Sequence, residues 1–125
     1  MQKSQIIKDI VFLPQKFYEG NASPHSLLKE SGYFEYHDQI SERDISEVLT
    51  QHLECIDQWV FFIADKRCAC WYFTQNGGKY IVGYYSIQRG HERVTEYSDR
   101  VEACAAYIKQ EIEEIRQIPI RSRKK

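Results

Sequence analysis

Hydrophobic positions along the chain change period twice. Between Ser41 and Leu53, the residues Ile45, Val48, Leu49 and Leu53 recur every three or four places, the spacing of one face of an α-helix. From Ser98 onward Val101, Cys104, Ala105, Ile108, Ile112 and Ile115 form a second and longer stripe of the same kind. Between the two, aromatic and β-branched residues gather into short runs at 59–64, 68–74 and 80–85, a composition suited to a pleated, half-buried surface. These runs predict strands. The sequence Asn76-Gly77-Gly78 between the second and third supplies the positive φ angles of a tight hairpin, and Asp65-Lys66-Arg67 separates the first two. A further run at 93–97, after the turn Gln88-Arg89-Gly90-His91, predicts another strand.

Helix boundaries are marked by their caps. Ser41 and Asp44 have capping-box spacing with Asp in place of the usual Glu, and Asp99 and Glu102 repeat it before the last helix. Ser23 before Pro24, with Gly32 beyond, predicts a short helix over 24–31 that turns Leu27 and Leu28 inward. The cluster Ile10-Val11-Phe12-Leu13, stopped by Pro14, reads as an edge strand or an extended arm, and 33–40 as loop. Pro119 is expected to close the last helix, leaving one domain over 1–118 and a basic flexible tail over 119–125.

The fold class that follows is α+β: an antiparallel meander of three to four strands packed against two to three helices, with a long C-terminal helix. The 59–64 run is apolar on both sides, which places it inside the sheet. So few helices cover both faces with difficulty. Either the amino-terminal segment takes the second face, or a tyrosine-bearing part of it stays open, and the latter is slightly favoured.

Composition narrows the class. The chain has 125 residues, 42% hydrophobic and 28% charged, which fits one soluble domain. No apolar stretch approaches the roughly 20 residues of a membrane span, and the first residues lack a signal-peptide core. The expected location is the cytoplasm. Cys68 and Cys70 share one strand face while Cys55 and Cys104 fall in helical segments, without the second close pair that a zinc site needs. The four read as small buried hydrophobes of which one or two are partly exposed, and no metal or cofactor is expected.

Charge is unevenly placed. The net charge is −1, yet residues 17–57 hold nine acids (Glu19, Glu30, Glu35, Asp38, Glu42, Asp44, Glu47, Glu54, Asp57) against Lys29 and Arg43, nine minus two giving −7. Residues 116–125 hold five bases and no acid. A surface built from the acidic segment attracts a basic partner and repels phosphate backbones, which argues against direct nucleic-acid binding through the body of the protein. No nucleophile elbow, phosphate loop, dinucleotide fingerprint or zinc-protease helix is present, and His25, His37, His52 and His91 are scattered. The chain reads as a binding protein and not an enzyme. Its candidate contact residues are Glu35, Asp38, Glu42, Asp44 and Glu47, with Tyr33, Phe34 and Tyr36 as aromatic anchors.

The succession of a helix, Trp59, Asp65-Lys66-Arg67, Trp71-Tyr72, Tyr80-Ile81-Val82, a polar turn, Ala103-Cys104-Ala105-Ala106-Tyr107-Ile108 and Glu111-Ile112 resembles small bacterial immunity proteins. These are the antidotes to polymorphic toxins, including those of contact-dependent growth inhibition, and the similarity spans 32–115. The resemblance implies a cognate toxin domain, often a basic nuclease, bound and blocked at its active site or beside it; it assigns no contact residue. Two other readings stay open: a homo-oligomeric structural or adaptor protein using an aromatic sheet face, with monomer and homodimer both allowed, and a small enzyme with a cleft near His37 or His91.

Overall fold

The Ser41 capping box forms as its spacing predicts. Asp44 N donates to Ser41 Oγ at 3.2 Å while Ser41 N donates to the Asp44 carboxylate at 3.0 Å, closing two of the helix's orphan donors. A computed structural model describes residues 2–20, 22–64, 70–86 and 90–122. In chain order these form α1 (Gln2–Val11), α2 (Leu13–Glu19), α3 (Pro24–Ser31), α4 (Tyr33–Tyr36), a 3-10 turn (His37–Gln39), α5 (Glu42–Gln51), α6 (Glu54–Ala64), β1 (Cys70–Asn76), β2 (Lys79–Ser86), β3 (Gly90–Tyr97) and α7 (Arg100–Ser122). The fold is α+β. Ser23 caps α3 through Ser26 N, and Gly32 ends it at φ 97°. Asp99 accepts from Glu102 N at 2.9 Å at the start of α7.

The sheet is an antiparallel meander in the order β1-β2-β3. Gly77 and Gly78 turn the first hairpin at φ 58° and 83°, the positive pair that a two-residue turn demands. Pairing of Trp71 with Tyr84, Phe73 with Val82, and Val82 with Thr95 sets one face against α7. Trp71, Phe73 and Val82 on that face are buried. The register slips between Val82 and Tyr84, where Gly83 alone stands opposite Arg93 and Val94, so β3 carries a β-bulge.

α7 is the element that the others share. Ala103, Cys104, Tyr107, Ile108 and Ile112 along it are fully buried, and it meets α3, α5, α6 and all three strands. Small side chains at Ala103, Cys104 and Ala105 let neighbouring backbones approach closely. Trp59 lies edge-on to Tyr107 with ring centroids 5.9 Å apart, and its indole N–H donates to the Val11 carbonyl at 3.0 Å. One side chain thus joins α6, α7 and α1.

Several expectations are corrected. Residues 59–64 form the second half of α6 and not a strand, which leaves three strands. A short apolar run does not separate buried helix from buried strand by period alone; here Cys55, Ile56 and Trp59 fall on one helical face, and Glu54 and Asp57 in the first turn suit its dipole. The 10–13 cluster ends α1 and begins α2, neither strand nor arm, because Ile6, Ile7, Ile10 and Val11 form a buried helical stripe. Residues 33–39 are helical turns and not loop. α5 stops at Gln51, so Leu53 lies outside it and is 52% exposed. Pro119 does not close α7, which continues to Ser122; proline forfeits its own N–H bond, but its φ suits a helix. The Asp65-Lys66-Arg67 link, Cys68, the side chain of Cys70, residues 87–89 and residues 123–125 lie outside what the structure describes. Cys55 and Cys104 are buried free thiols.

The sheet's second face carries Tyr72, Thr74, Ile81, Tyr85, Val94 and Glu96, with Tyr85 41% and Val94 50% exposed. Tyr72 lies over its cross-strand partner Gly83, where an added Cβ would come within 2.5 Å of the Tyr72 hydroxyl. The glycine leaves room for the ring.

Candidate functional site

A polar clamp from α7 positions the acidic segment. Lys109 Nζ donates to Tyr33 Oη at 2.9 Å, to the His37 carbonyl at 2.9 Å and to the Ile40 carbonyl at 2.7 Å, which uses all three of its protons. Tyr33 Oη donates in turn to Glu113, and Arg116 Nη2 donates to the same carboxylate at 2.8 Å. Burial holds the Lys109 ammonium below its ordinary pKa. Burial also pushes the Glu113 carboxyl up, but the bonds from Arg116 and Tyr33 and the charges of Arg116 and Lys109 outweigh it and leave the group below its usual value. Tyr33 is raised by its own burial and by Glu113. The clamp fixes 33–40, and so the point at which α5 begins.

Beside it, α5, α7 and β3 enclose an open cleft of about 440 Å³ lined by Glu42, Arg43, Ser46, Glu47, Tyr97 and Glu102. A second cleft of about 300 Å³ adjoins it, sharing Glu42 and Tyr97 and continuing along the sheet over Trp71, Arg93, Thr95 and Gln110. Burial, then the nearby charges of Glu42 and Glu102, raise the Tyr97 phenol. Both carboxylates line the larger cleft with that ring. Glu42, Glu102 and Arg93 are exposed, and among the described residues none of the three makes a side-chain hydrogen bond or ion pair. Glu47 pairs with Arg43 at 3.6 Å on the open surface, a contact that contributes little stability.

The eight sequence-predicted contact residues divide. Tyr33 is fully buried in the clamp, which corrects its reading as an anchor: its ring is committed to the core and its hydroxyl to Lys109 and Glu113. Phe34 and Tyr36 are half-buried against the core, Phe34 with its ring 5.2 Å from that of His25. Asp44 is occupied by the capping box and by Lys3 at 3.4 Å; burial raises its carboxyl, but the Ser41 and Lys3 bonds prevail and lower it. Glu35 and Asp38 are exposed. Glu42 and Glu47 are exposed and line the cleft. Tyr97, Glu102, Trp71 and Arg93 were not in the predicted site. They lie between 29 and 60 residues from Glu42 in sequence, and the packing of α7 on α5 and on the sheet brings them together.

Among the described residues no group of three or more His, Cys, Asp or Glu is placed to hold a metal ion, and no helix is long and apolar enough to cross a membrane. No family model, curated protein or solved structure matches this chain.

Proposed function

We propose that the chain is an immunity protein that binds a cognate bacterial toxin domain, a basic nuclease, and neutralises it by occluding its active site or an adjacent surface. The observation that carries this reading is the pair of exposed carboxylates, Glu42 and Glu102, which line an open cleft with Tyr97 and make no hydrogen bond or ion pair among the described residues. A nuclease holds phosphate with basic side chains, and exposed carboxylates offer those side chains an alternative anion. Exposed Glu35 and Asp38 extend the negative surface, which speeds encounter with a basic partner, while the half-buried ring of Tyr97 supplies apolar contact that slows release. Inhibition is stoichiometric and needs no covalent chemistry, and it takes place in the cytoplasm, where the nuclease would act.

The experiment is co-expression with the toxin domain encoded by the neighbouring gene. The wild-type chain is expected to restore growth, and a variant carrying Glu42→Lys, Glu47→Lys and Glu102→Lys, shown to be folded, is expected to lose that protection. Protection by the triple variant equal to wild type would exclude this surface. A second reading, self-association through the outer sheet face, draws on the exposure of Tyr85 and Val94 there. Mass in solution separates the two: a dimer that Tyr85→Lys dissolves supports self-association, and a monomer supports the foreign partner.

A further inference from the structure

The adjoining clefts hold charge of both signs. Glu42 and Glu102 line the larger cleft with Tyr97, Arg93 lines the smaller one with Glu42 and Tyr97, and among the described residues none of the three makes a side-chain hydrogen bond or ion pair. Arg93 reaches its place through the β-bulge, at φ 55°, the only non-glycine with positive φ among the described residues. A glycine would suit that backbone better, since the left-handed region brings Cβ too close to the following carbonyl. Arginine instead sets a guanidinium at the cleft wall at the backbone's expense, and bulges re-aim side chains in this way. Trp71, 9% exposed, and the half-buried Tyr97 form an apolar floor beneath the charges.

We propose that this double cleft takes a dipolar segment of a partner protein: a Lys or Arg side chain between Glu42 and Glu102 over the Tyr97 ring, and an Asp or Glu carboxylate on Arg93. The inference rests on the binding-protein reading above and names the chemistry of its contact. A purely cationic segment would satisfy the carboxylates but set like charge against Arg93, and a purely anionic one would do the reverse. Only a segment carrying both signs pairs all three groups. The larger cleft, about 440 Å³, has room for a long basic side chain, and the smaller, about 300 Å³, for a carboxylate.

The test uses the full chain, isotope-labelled for amide shift titrations at low ionic strength, with capped peptides Lys-Gly-Glu and Lys-Gly-Gly-Glu against the controls Lys-Gly-Lys and Glu-Gly-Glu. The better dipolar peptide is expected to shift the amides of Glu42, Arg93, Tyr97 and Glu102 and to bind about three- to fivefold tighter than either control, the range that exposed charge pairs allow. Arg93→Asn, chosen because asparagine tolerates the left-handed region, should abolish the preference over Lys-Gly-Lys. Equal or tighter binding of Lys-Gly-Lys, or a preference that survives Arg93→Asn, overturns the dipolar inference while leaving the acidic contact standing. If no peptide shifts the cleft residues, the inference falls and so does the cleft's role in the proposed function.

Discussion

Replacing Lys109 with methionine should loosen the whole acidic segment. Methionine keeps most of the stem's volume and packing but removes the ammonium that holds Tyr33, His37 and Ile40. Each hydrogen bond to a charged group is worth about 1.5–3 kcal/mol when one partner is deleted. The sum is too large for two reasons. The Lys109 side chain is still 19% exposed, so water replaces part of what is lost, and the variant no longer desolvates an ammonium, the effect that lowers the Lys109 pKa. A net loss of about 2–3 kcal/mol remains, or roughly 10 °C in melting temperature for a chain of this size. Urea unfolding followed by the fluorescence of Trp59 and Trp71 measures it, and amide exchange locates it. Protection should fall first at 33–41, the stretch that sets the start of α5 and hence the placement of Glu42. A stability loss below about 0.5 kcal/mol, or exchange unchanged over 33–41, would refute the clamp.

Four further outcomes follow from the same contacts. Trp59→Phe leaves the Val11 carbonyl without its indole donor and opens space at a fully buried site, costing about 2–4 kcal/mol in denaturant unfolding; a loss under about 1 kcal/mol would contradict that role. Ser41→Ala removes half of the capping box and should cost about 1 kcal/mol, read in the same assay and contradicted by an unchanged midpoint. The Glu113 carboxyl is lowered by folding, so its stabilisation is complete above the unfolded carboxyl's pKa and is lost as pH falls through the lower folded value. Glu113→Gln should therefore make the acid side of the stability-pH curve shallower, and an acid side as steep as wild type would refute the assignment. Arg93→Gly relieves the positive φ of a non-glycine residue and should raise stability by about 1 kcal/mol while removing the dipolar-peptide preference; a destabilised variant would contradict the strain at the bulge.

Where local signals were strong, the sequence was legible. The boxed start of α5, the stripe of α7, the Ser23-Pro24 and Gly32 limits of α3, and the Gly77-Gly78 hairpin each have a local physical cause, and each stands within a residue or two of its predicted place. The 59–64 run misled because an all-apolar stretch carries no period of its own. Cys55, Ile56 and Trp59 carry the helical spacing that decides it, but that pattern begins before the run. The amino-terminal cluster misled for a similar reason: Ile6, Ile7, Ile10 and Val11 make the stripe, and the four residues before Pro14 show only its end.

The candidate site was half legible. Acid density across 17–57 pointed to α5 and brought in Glu42 and Glu47, which line the cleft. Density alone does not distinguish a carboxylate spent on a cap, as in Asp44, from a free one, nor an anchoring tyrosine from a clamped one such as Tyr33. The other wall, Tyr97, Glu102 and Arg93, is assembled by long-range packing of α7 on α5 and of β3 on α7. A single sequence contains no local mark of that pairing, apart from a Gly83 opposite a strand one residue too long for it.

The most direct measurement is a calorimetric titration of the full chain with the toxin domain encoded beside it, at two salt concentrations, for wild type and for a folded Glu42→Lys, Glu102→Lys variant. A one-to-one complex that weakens as salt rises, and that the variant loses by a hundredfold or more, is the expected result, on the order of what deleting central charged contacts costs. A complex formed equally well by the variant, with the same salt dependence, would contradict the claim that these carboxylates are the contact.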